Sequence, residues 1–141
     1  MIRYAIDLVP EDDVLLVECP DLQGVHSFGD DEDDALRHGL DAVLTRLEMY
    51  MDDRQPIPPP RARRKNYVEI PPIAEAKIRL YEFMLERGLR KADLARMLGW
   101  KPMQVDRLFN LGHNSRIDQL QQAFAALGKE LVMTLKVQDA A

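Results

Sequence analysis

The sequence is poor in the residues on which several classes of protein depend. Its 141 residues include one cysteine, Cys19, and one tryptophan. A single cysteine excludes an intramolecular disulfide and gives no framework for a zinc site. No apolar run reaches the roughly 18 residues that a membrane-spanning helix needs, and the first ten residues lack the pattern of a signal peptide. We therefore expect a cytoplasmic protein in which Cys19 is a small packing residue.

Histidine is also scarce. His26, His38 and His113 fall on a predicted strand, a predicted helix and a predicted loop, without the spacing of metal ligands. The sequence has no glycine-rich phosphate-binding loop either. It therefore predicts no metal and no cofactor.

Charge is distributed unevenly between the two halves of the chain. Residues 1–60 contain 15 acidic and four basic side chains, a net charge of −11, whereas residues 61–141 contain nine acidic and 15 basic ones, a net charge of +6. This asymmetry suggests a basic protein as partner of the first half and a polyanion as partner of the second. Acidic faces are also common as plain solvated surface, so the charge asymmetry alone does not identify a partner.

The first half has the apolar pattern of a small sheet with one helix. Ile2, Tyr4 and Ile6 recur at every second position, the period of a half-buried strand. From residue 36 to residue 51 the apolar side chains instead recur at three and four positions, as in an amphipathic helix. The acidic run at residues 30–34 would cap that helix. We predict strands at residues 2–8, 14–19, 25–28 and 67–70, and a helix at residues 32–51.

Prolines separate this part from a helical second half. Pro56 and Pro58 to Pro60 cannot continue a helix, so residues 54–66 are expected to form an extended linker. We place one domain at residues 1–70 and the other at 71–141. Helices are expected at residues 73–88, 91–98, 102–111 and 116–127, with Ser115 and Asp118 as a capping box of the last one.

The last residues, 130–137, alternate like a strand. A lone strand is unstable unless it pairs. Its most economical partner is the same segment of a second copy, which predicts a homodimer or a higher even-numbered oligomer. The predicted fold class is therefore α+β: a β-β-β-α-β domain followed by an all-α domain that ends in a short strand.

Three residues of the second half have the spacing of a helix-turn-helix. Ala95 is small where the two helices cross, Gly99 permits the tight turn, and Val105 anchors the second helix in the interior. With Val105 inward, the second helix presents side chains that read base edges, and its surroundings supply phosphate contacts. The candidate DNA-binding residues are Arg90, Lys91, Lys101, Met103, Gln104, Arg107, Asn110, Asn114 and Arg116.

The order of these parts resembles the HicB antitoxin family, in the variety that carries a Cro-like helix-turn-helix. The resemblance covers nearly the whole chain. It rests on the opening IRYAIDLVPEDDVLLVECPDLQGVHSFGDDEDDAL, on the PIPPP linker with YVEIPP, and on LRKADLARMLGWKPMQVDRLFNLGHNSRIDQLQQAFAALGKEL with the terminal strand. One departure is Met103, which stands where a small polar residue is common in such helices, so the base preference is open.

The resemblance implies a partial ribonuclease-H-like fold in the N-terminal domain, without enzymatic activity. It also implies a HicA-type toxin, a small basic ribonuclease, as partner, and repression of the protein's own operon through operator DNA. It does not locate the toxin contacts. The distribution of charge indicates that the acidic half binds the toxin. The candidate toxin-binding residues are Asp7, Glu18, Asp21, Asp30 and Asp31.

Two alternatives belong to other classes of protein. The first is a transcriptional repressor whose N-terminal domain senses a small molecule. The second is a nuclease in which Asp7, Glu48 and Glu69 hold two metal ions. The strand alternation argues against the nuclease, because it directs Asp7 to the sheet face opposite the helix.

Overall fold

Four strands and one long helix form the first half of the chain. In the computed structural model, which describes residues 1–140, β1 spans Arg3–Glu11, β2 Val14–Glu18, β3 His26–Gly29, α1 Glu32–Asp52 and β4 Asn66–Glu69. The sheet is antiparallel, in the order β3-β2-β1-β4. The predicted order of elements in this half is confirmed, with boundaries that differ by at most three residues.

Helix α1 covers one face of the sheet. Ala35, Gly39, Val43, Leu47 and Met51 recur every four residues and are buried. They pack in one core with inward side chains of the strands, including Tyr4, Ile6, Val17 and Val68. Asp31 caps the helix because its side chain accepts a hydrogen bond from the Asp34 backbone N–H at 2.8 Å. Alternation in the strands and four-residue spacing in the helix thus meet at one interface.

The second half is helical. Helix α2 spans Pro72–Glu86, α3 Lys91–Leu98, α4 Pro102–Leu108 and α5 Ile117–Ala126. Their buried side chains, such as Leu80, Leu94, Leu108 and Leu120, belong to the same continuous core as the sheet. The α+β fold class is confirmed. No helix within residues 1–140 is both long and apolar enough to cross a membrane.

The segment that joins the halves is extended and is held in place by hydrogen bonds. Residues 55–65 form neither helix nor strand. The carbonyl oxygen of Pro58 accepts a hydrogen bond from the Tyr4 hydroxyl, and that of Gln55 from the Tyr81 hydroxyl, each at 2.6 Å. Tyr4 and Tyr81 lie in opposite halves of the chain, so this segment contacts both. The division at residue 70 stays a prediction.

The predicted terminal strand is wrong for the single chain. Residues 129–140 contain no strand in this structure. Strand character requires a ladder partner, and residues 131–134 instead pass alongside Ile70, Ala76 and Arg79. Val132, Leu135 and Val137 are 71%, 88% and 86% exposed. The apolar alternation is present, but no segment within residues 1–140 pairs with it as a strand.

The predicted capping box at α5 is also wrong. Ser115 is buried, and its hydroxyl donates to the carbonyl oxygen of Arg107 at 3.4 Å. Asp118 pairs with Arg116 at 2.6 Å. Helix α4 ends at Leu108 rather than at residue 111, because the chain turns back there and draws Ser115 against the end of α4.

Candidate nucleic-acid and protein interfaces

Helices α3 and α4 pack together, and the three positions that the spacing singled out lie in these helices and in the turn between them. Ala95 is 9% exposed and Val105 is fully buried. Gly99 follows α3 with φ of +69°, a left-handed conformation that a β-carbon would strain. The Trp100 backbone N–H then donates to the carbonyl oxygen of Ala95 at 3.0 Å and closes the turn. The local geometry expected of these three residues is therefore present.

The outer surface of α4 carries the candidate base-reading residues. Lys101, Met103, Gln104 and Arg107 are all exposed. The Arg107 guanidinium lies 3.7 Å from the Met103 sulfur, so these two side chains share one patch. The Gln104 side-chain oxygen accepts a hydrogen bond from the Lys101 backbone N–H at 2.9 Å. Gln104 thus caps α4, and it would have to release that contact to use both amide atoms on a base.

The candidate phosphate contacts are exposed as well. They are Arg90, Lys91, Asn110, Asn114 and Arg116. The Lys91 ammonium lies 3.4 Å from a carboxylate oxygen of Asp106 and 5.6 Å from the centre of the Phe109 ring. The Asn110 side chain accepts from the Gly112 backbone N–H. Local contacts therefore hold several of these side chains at the ends of α3 and α4.

A buried lysine behind α4 is the residue that the sequence analysis missed. Lys77 of α2 is 0% exposed, and its ammonium donates to the carbonyl oxygens of Arg107, Asn110 and His113 at 2.8, 2.8 and 2.6 Å. Burial lowers the pKa of Lys77 to about 8. The sequence contains a signal for the burial of Lys77, because this residue lies at helical spacing from Ala74, Tyr81 and Met84 on the buried side of α2.

A carboxylate of α1 contacts the loop that follows α4. A side-chain oxygen of Glu48 accepts a hydrogen bond from the Leu111 backbone N–H at 3.1 Å. The loop after α4 is therefore held by Lys77 through its carbonyl oxygens and by Glu48 through an N–H. The Glu48 contact connects α1, the helix that covers the sheet, with the loop after the candidate DNA-reading helix, and the Lys77 contacts connect α2 with the same region.

The candidate toxin-binding acids fall into two groups. Asp7 and Glu18 are opposite each other on β1 and β2, on the sheet face away from α1. Asp7 is bound by the Arg64 guanidinium at 2.8 Å. Asp21 accepts hydrogen bonds from the backbone N–H groups of Arg61 and Ala62, both at 2.9 Å. The joining segment thus occupies Asp7 and Asp21 and leaves Glu18 exposed.

Asp30 and Asp31 lie at the start of α1. Asp31 caps the helix, and the Asp30 backbone N–H donates to Asp34 at 2.9 Å. That N–H and the Arg37 guanidinium lower the pKa of the Asp34 carboxyl. The acidic run therefore has a structural role, which the dipole of α1 reinforces.

The three carboxylates of the nuclease alternative have separate surroundings. Asp7 binds Arg64, Glu48 binds the Leu111 N–H, and Glu69 is opposite Arg3 at the β1–β4 pairing. In the described part of the chain no three histidine, cysteine or acidic side chains cluster as metal ligands would. His38 contacts the carbonyl oxygen of Phe28 at 2.8 Å, and Cys19 is buried in the core.

Comparison with known proteins finds one family model and several curated relatives of this chain. The family model described as HicB-like antitoxin of bacterial toxin–antitoxin systems matches residues 3–79. Antitoxin HicB of Pseudomonas fluorescens (strain Pf0-1) is 33% identical over 139 residues, which cover 96% of this chain and 95% of that protein. Antitoxin HicB 2 of Photorhabdus laumondii is 34% identical over 92% of this chain and 93% of its own length. Antitoxin HicB of Escherichia coli (strain K12) is 31% identical over 94% and 99%.

These matches define the class of the protein as an antitoxin of a bacterial toxin–antitoxin system. Within that class, the chain belongs to the HicB-like antitoxin family, as the sequence resemblance predicted.

Proposed function

We propose that this antitoxin binds and neutralises a small HicA-type mRNA-cleaving toxin in the cytoplasm and represses its own operon by binding operator DNA. It is not itself an enzyme. Family membership supports the toxin partner. The exposed patch on α4, next to the buried anchor Val105, supports the DNA partner. In this proposal the sheet half contacts the toxin, and the helical half contacts DNA.

The DNA half rests on the chemistry of the α4 surface. Arg107 and Lys101 can donate to guanine edges, and Arg90, Lys91 and Arg116 can neutralise phosphates. A duplex that carries the promoter of the operon is the probe, with binding measured by fluorescence anisotropy. We expect Arg107→Ala to weaken operator binding by roughly tenfold or more, because one base contact is worth about 1–3 kcal/mol.

The matched control for that experiment is Arg37→Ala. Arg37 is an exposed arginine of α1 whose ion-pair partner in the described part of the chain is Asp34, so its removal changes the net charge equally without touching α4. Equal affinity of the wild type and Arg107→Ala for the operator would contradict the assigned DNA surface.

The proposal that the protein forms a dimer rests on residues 130–137. One helical module buries little surface, so tight DNA binding requires two modules on two half-sites. Pairing of the terminal segment with its copy would cover the exposed Val132, Leu135 and Val137. Removal of residues after Lys129 should shift the mass measured by light scattering from dimer to monomer. A truncated protein that stays dimeric would refute this pairing.

The proposal that the protein neutralises a toxin is tested by rescue of growth. Expression of the adjacent small basic reading frame should arrest growth, and co-expression of this chain should restore it. The association rate should fall steeply with salt if the acidic half steers the toxin. A rate that does not change with salt would remove the electrostatic part of the proposal.

One observation favours the alternative of a ligand-sensing repressor. A cavity of about 300 Å³ lies between the halves and is lined by Met51, Arg54, Tyr81, Arg90 and Phe109, among others. Its arginines would suit a small anion. However, the Arg54 guanidinium is already bound to the carbonyl oxygen of Leu89 at 2.9 Å. We therefore favour the antitoxin, and absence of any toxic neighbour would favour the alternative.

A further inference from the structure

The open face of the sheet carries a row of apolar side chains. Val9 of β1 is opposite Leu16 of β2, and Leu16 is opposite Phe28 of β3. All three point away from α1, because strand positions alternate between the two faces. Val9 is 42% exposed, Phe28 is 58% exposed, and Leu16 is half-buried between them. The apolar row therefore crosses three strands on the solvent side.

Packing within the chain does not account for this row. The inward neighbours Leu8, Leu15 and Val17 supply the side chains that pack with α1. An antiparallel sheet with one solvated face normally has polar side chains on that face. A contiguous exposed apolar patch is instead typical of a protein-binding site. A phenylalanine in the row would fit the centre of such a site, where aromatic side chains are enriched.

Carboxylates border the row on both sides. On one side lies Glu18, opposite Asp7, and on the other lies Glu11, followed by the turn residues Asp12 and Asp13. Glu11, Asp12, Asp13 and Glu18 are exposed, and none forms an ion pair within residues 1–140. An apolar centre with an unneutralised acidic border complements a partner that has an apolar group among basic side chains.

We propose that Val9, Leu16 and Phe28 form the centre of the toxin interface, with Glu11, Asp12, Asp13 and Glu18 as its acidic border. This inference rests on the proposed function, since the occupant is the basic toxin. It differs from the expectation drawn from charge alone. Asp30 and Asp31 lie at the cap of α1, and Asp7 and Asp21 are bound by the joining segment, so the affinity comes from the apolar row.

The two sets of residues should affect different rate constants. Border charges of an interface act mainly on the association rate, whereas buried anchors act on the dissociation rate. Phe28→Ala should therefore weaken toxin binding about 30-fold or more, the loss expected of an interface hot spot, mostly by faster dissociation. Glu18→Gln should slow association at low salt and change dissociation little.

The experiment measures binding of the purified product of the adjacent small basic reading frame to the full-length antitoxin by biolayer interferometry. Met49→Ala is the control, because Met49 is a large apolar side chain of similar exposure, 47%, on α1. Thermal unfolding verifies that each variant is folded. Leu16→Thr tests the middle of the row, and if it does not fold, Phe28→Ala alone decides, because most of the Phe28 side chain lies in solvent.

The outcomes separate this inference from the proposed function. If wild-type antitoxin does not bind the toxin, the proposed function fails. If the wild type binds and Phe28→Ala binds within twofold of it, the toxin docks elsewhere and the inference is overturned. The inference is also overturned if Phe28→Ala dissociates a wild-type dimer in the absence of toxin, because a second copy would then be the occupant.

Discussion

The Lys77 ammonium lies 2.6 Å from the carbonyl oxygen of His113, although the two residues are 36 positions apart. The same ammonium holds two further carbonyl oxygens at 2.8 Å, at the end of α4 and in the loop after it. The end of a helix leaves backbone carbonyl groups without helical partners. Here one buried cation satisfies three carbonyl groups in that region, which fixes the position of α4.

Replacement of Lys77 by methionine should destabilise the protein and impair DNA binding. The methionine fills much of the same space but leaves three carbonyl oxygens without their donor, which should lower the free energy of unfolding by roughly 3 kcal/mol. Urea unfolding measures this loss. Lys136→Met is the control, because Lys136 lies in the exposed terminal segment. An equally stable Lys77→Met protein would show that the lysine is dispensable.

Stability should depend on pH through Lys77. The pKa of Lys77 is about 8 in the folded protein, below its ordinary value of 10.5. Between these values the unfolded chain retains a proton that the folded protein has released, so the free energy of unfolding rises with pH. Well below pH 8 both states are protonated and this contribution is flat.

The measurement is urea unfolding of the wild type and Lys77→Met at pH 7.0 and pH 9.5. The wild type should gain stability relative to the variant as the pH rises. A difference between the two proteins that stays constant over this interval would contradict the lowered pKa.

Glu48 should couple α1 to the loop after α4. Glu48→Ala removes the acceptor of the Leu111 N–H, so this amide should exchange its hydrogen faster, and operator affinity should fall several-fold as the end of α4 loosens. Glu48→Gln keeps an acceptor oxygen and should restore most of the protection. Hydrogen exchange measured by NMR reports the first effect. If the Leu111 amide exchanges equally fast in the wild type and Glu48→Ala, the contact is not formed in solution.

Gly29 should tolerate no side chain. A β-carbon at Gly29 would lie closer to the backbone of Ala35 in α1 than real β-carbons approach their neighbours. Gly29→Ala should therefore push α1 from the sheet and lower the melting temperature by ten degrees or more, since overpacking costs roughly 1–3 kcal/mol and more against backbone. Gly112→Ala is the control, because among residues 1–140 its β-carbon would meet the Asn110 side chain alone, at an ordinary contact distance of 3.5 Å. Similar melting temperatures for both variants would refute the tight contact.

Local patterns in the sequence predicted much of the fold. Alternation predicted β1 and β2, spacing of three and four residues predicted α1, and the prolines predicted the extended segment. Ala95, Gly99 and Val105 are likewise recognisable because a tight turn and its flanking helices impose requirements within eleven residues. The terminal strand was mispredicted because the apolar alternation of residues 130–137 meets no ladder partner within residues 1–140.

The sequence by itself determined which segments are strands and helices, because those preferences depend on neighbours a few positions away. Only the tertiary structure decided the contacts between distant residues. Glu48 and Leu111 are 63 positions apart, and Asp7 and Arg64 are 57 apart. No local pattern records such pairs, since they arise only when the core brings the elements together. For that reason the acidic half could be predicted as a surface, whereas its open apolar row became visible only in the assembled sheet.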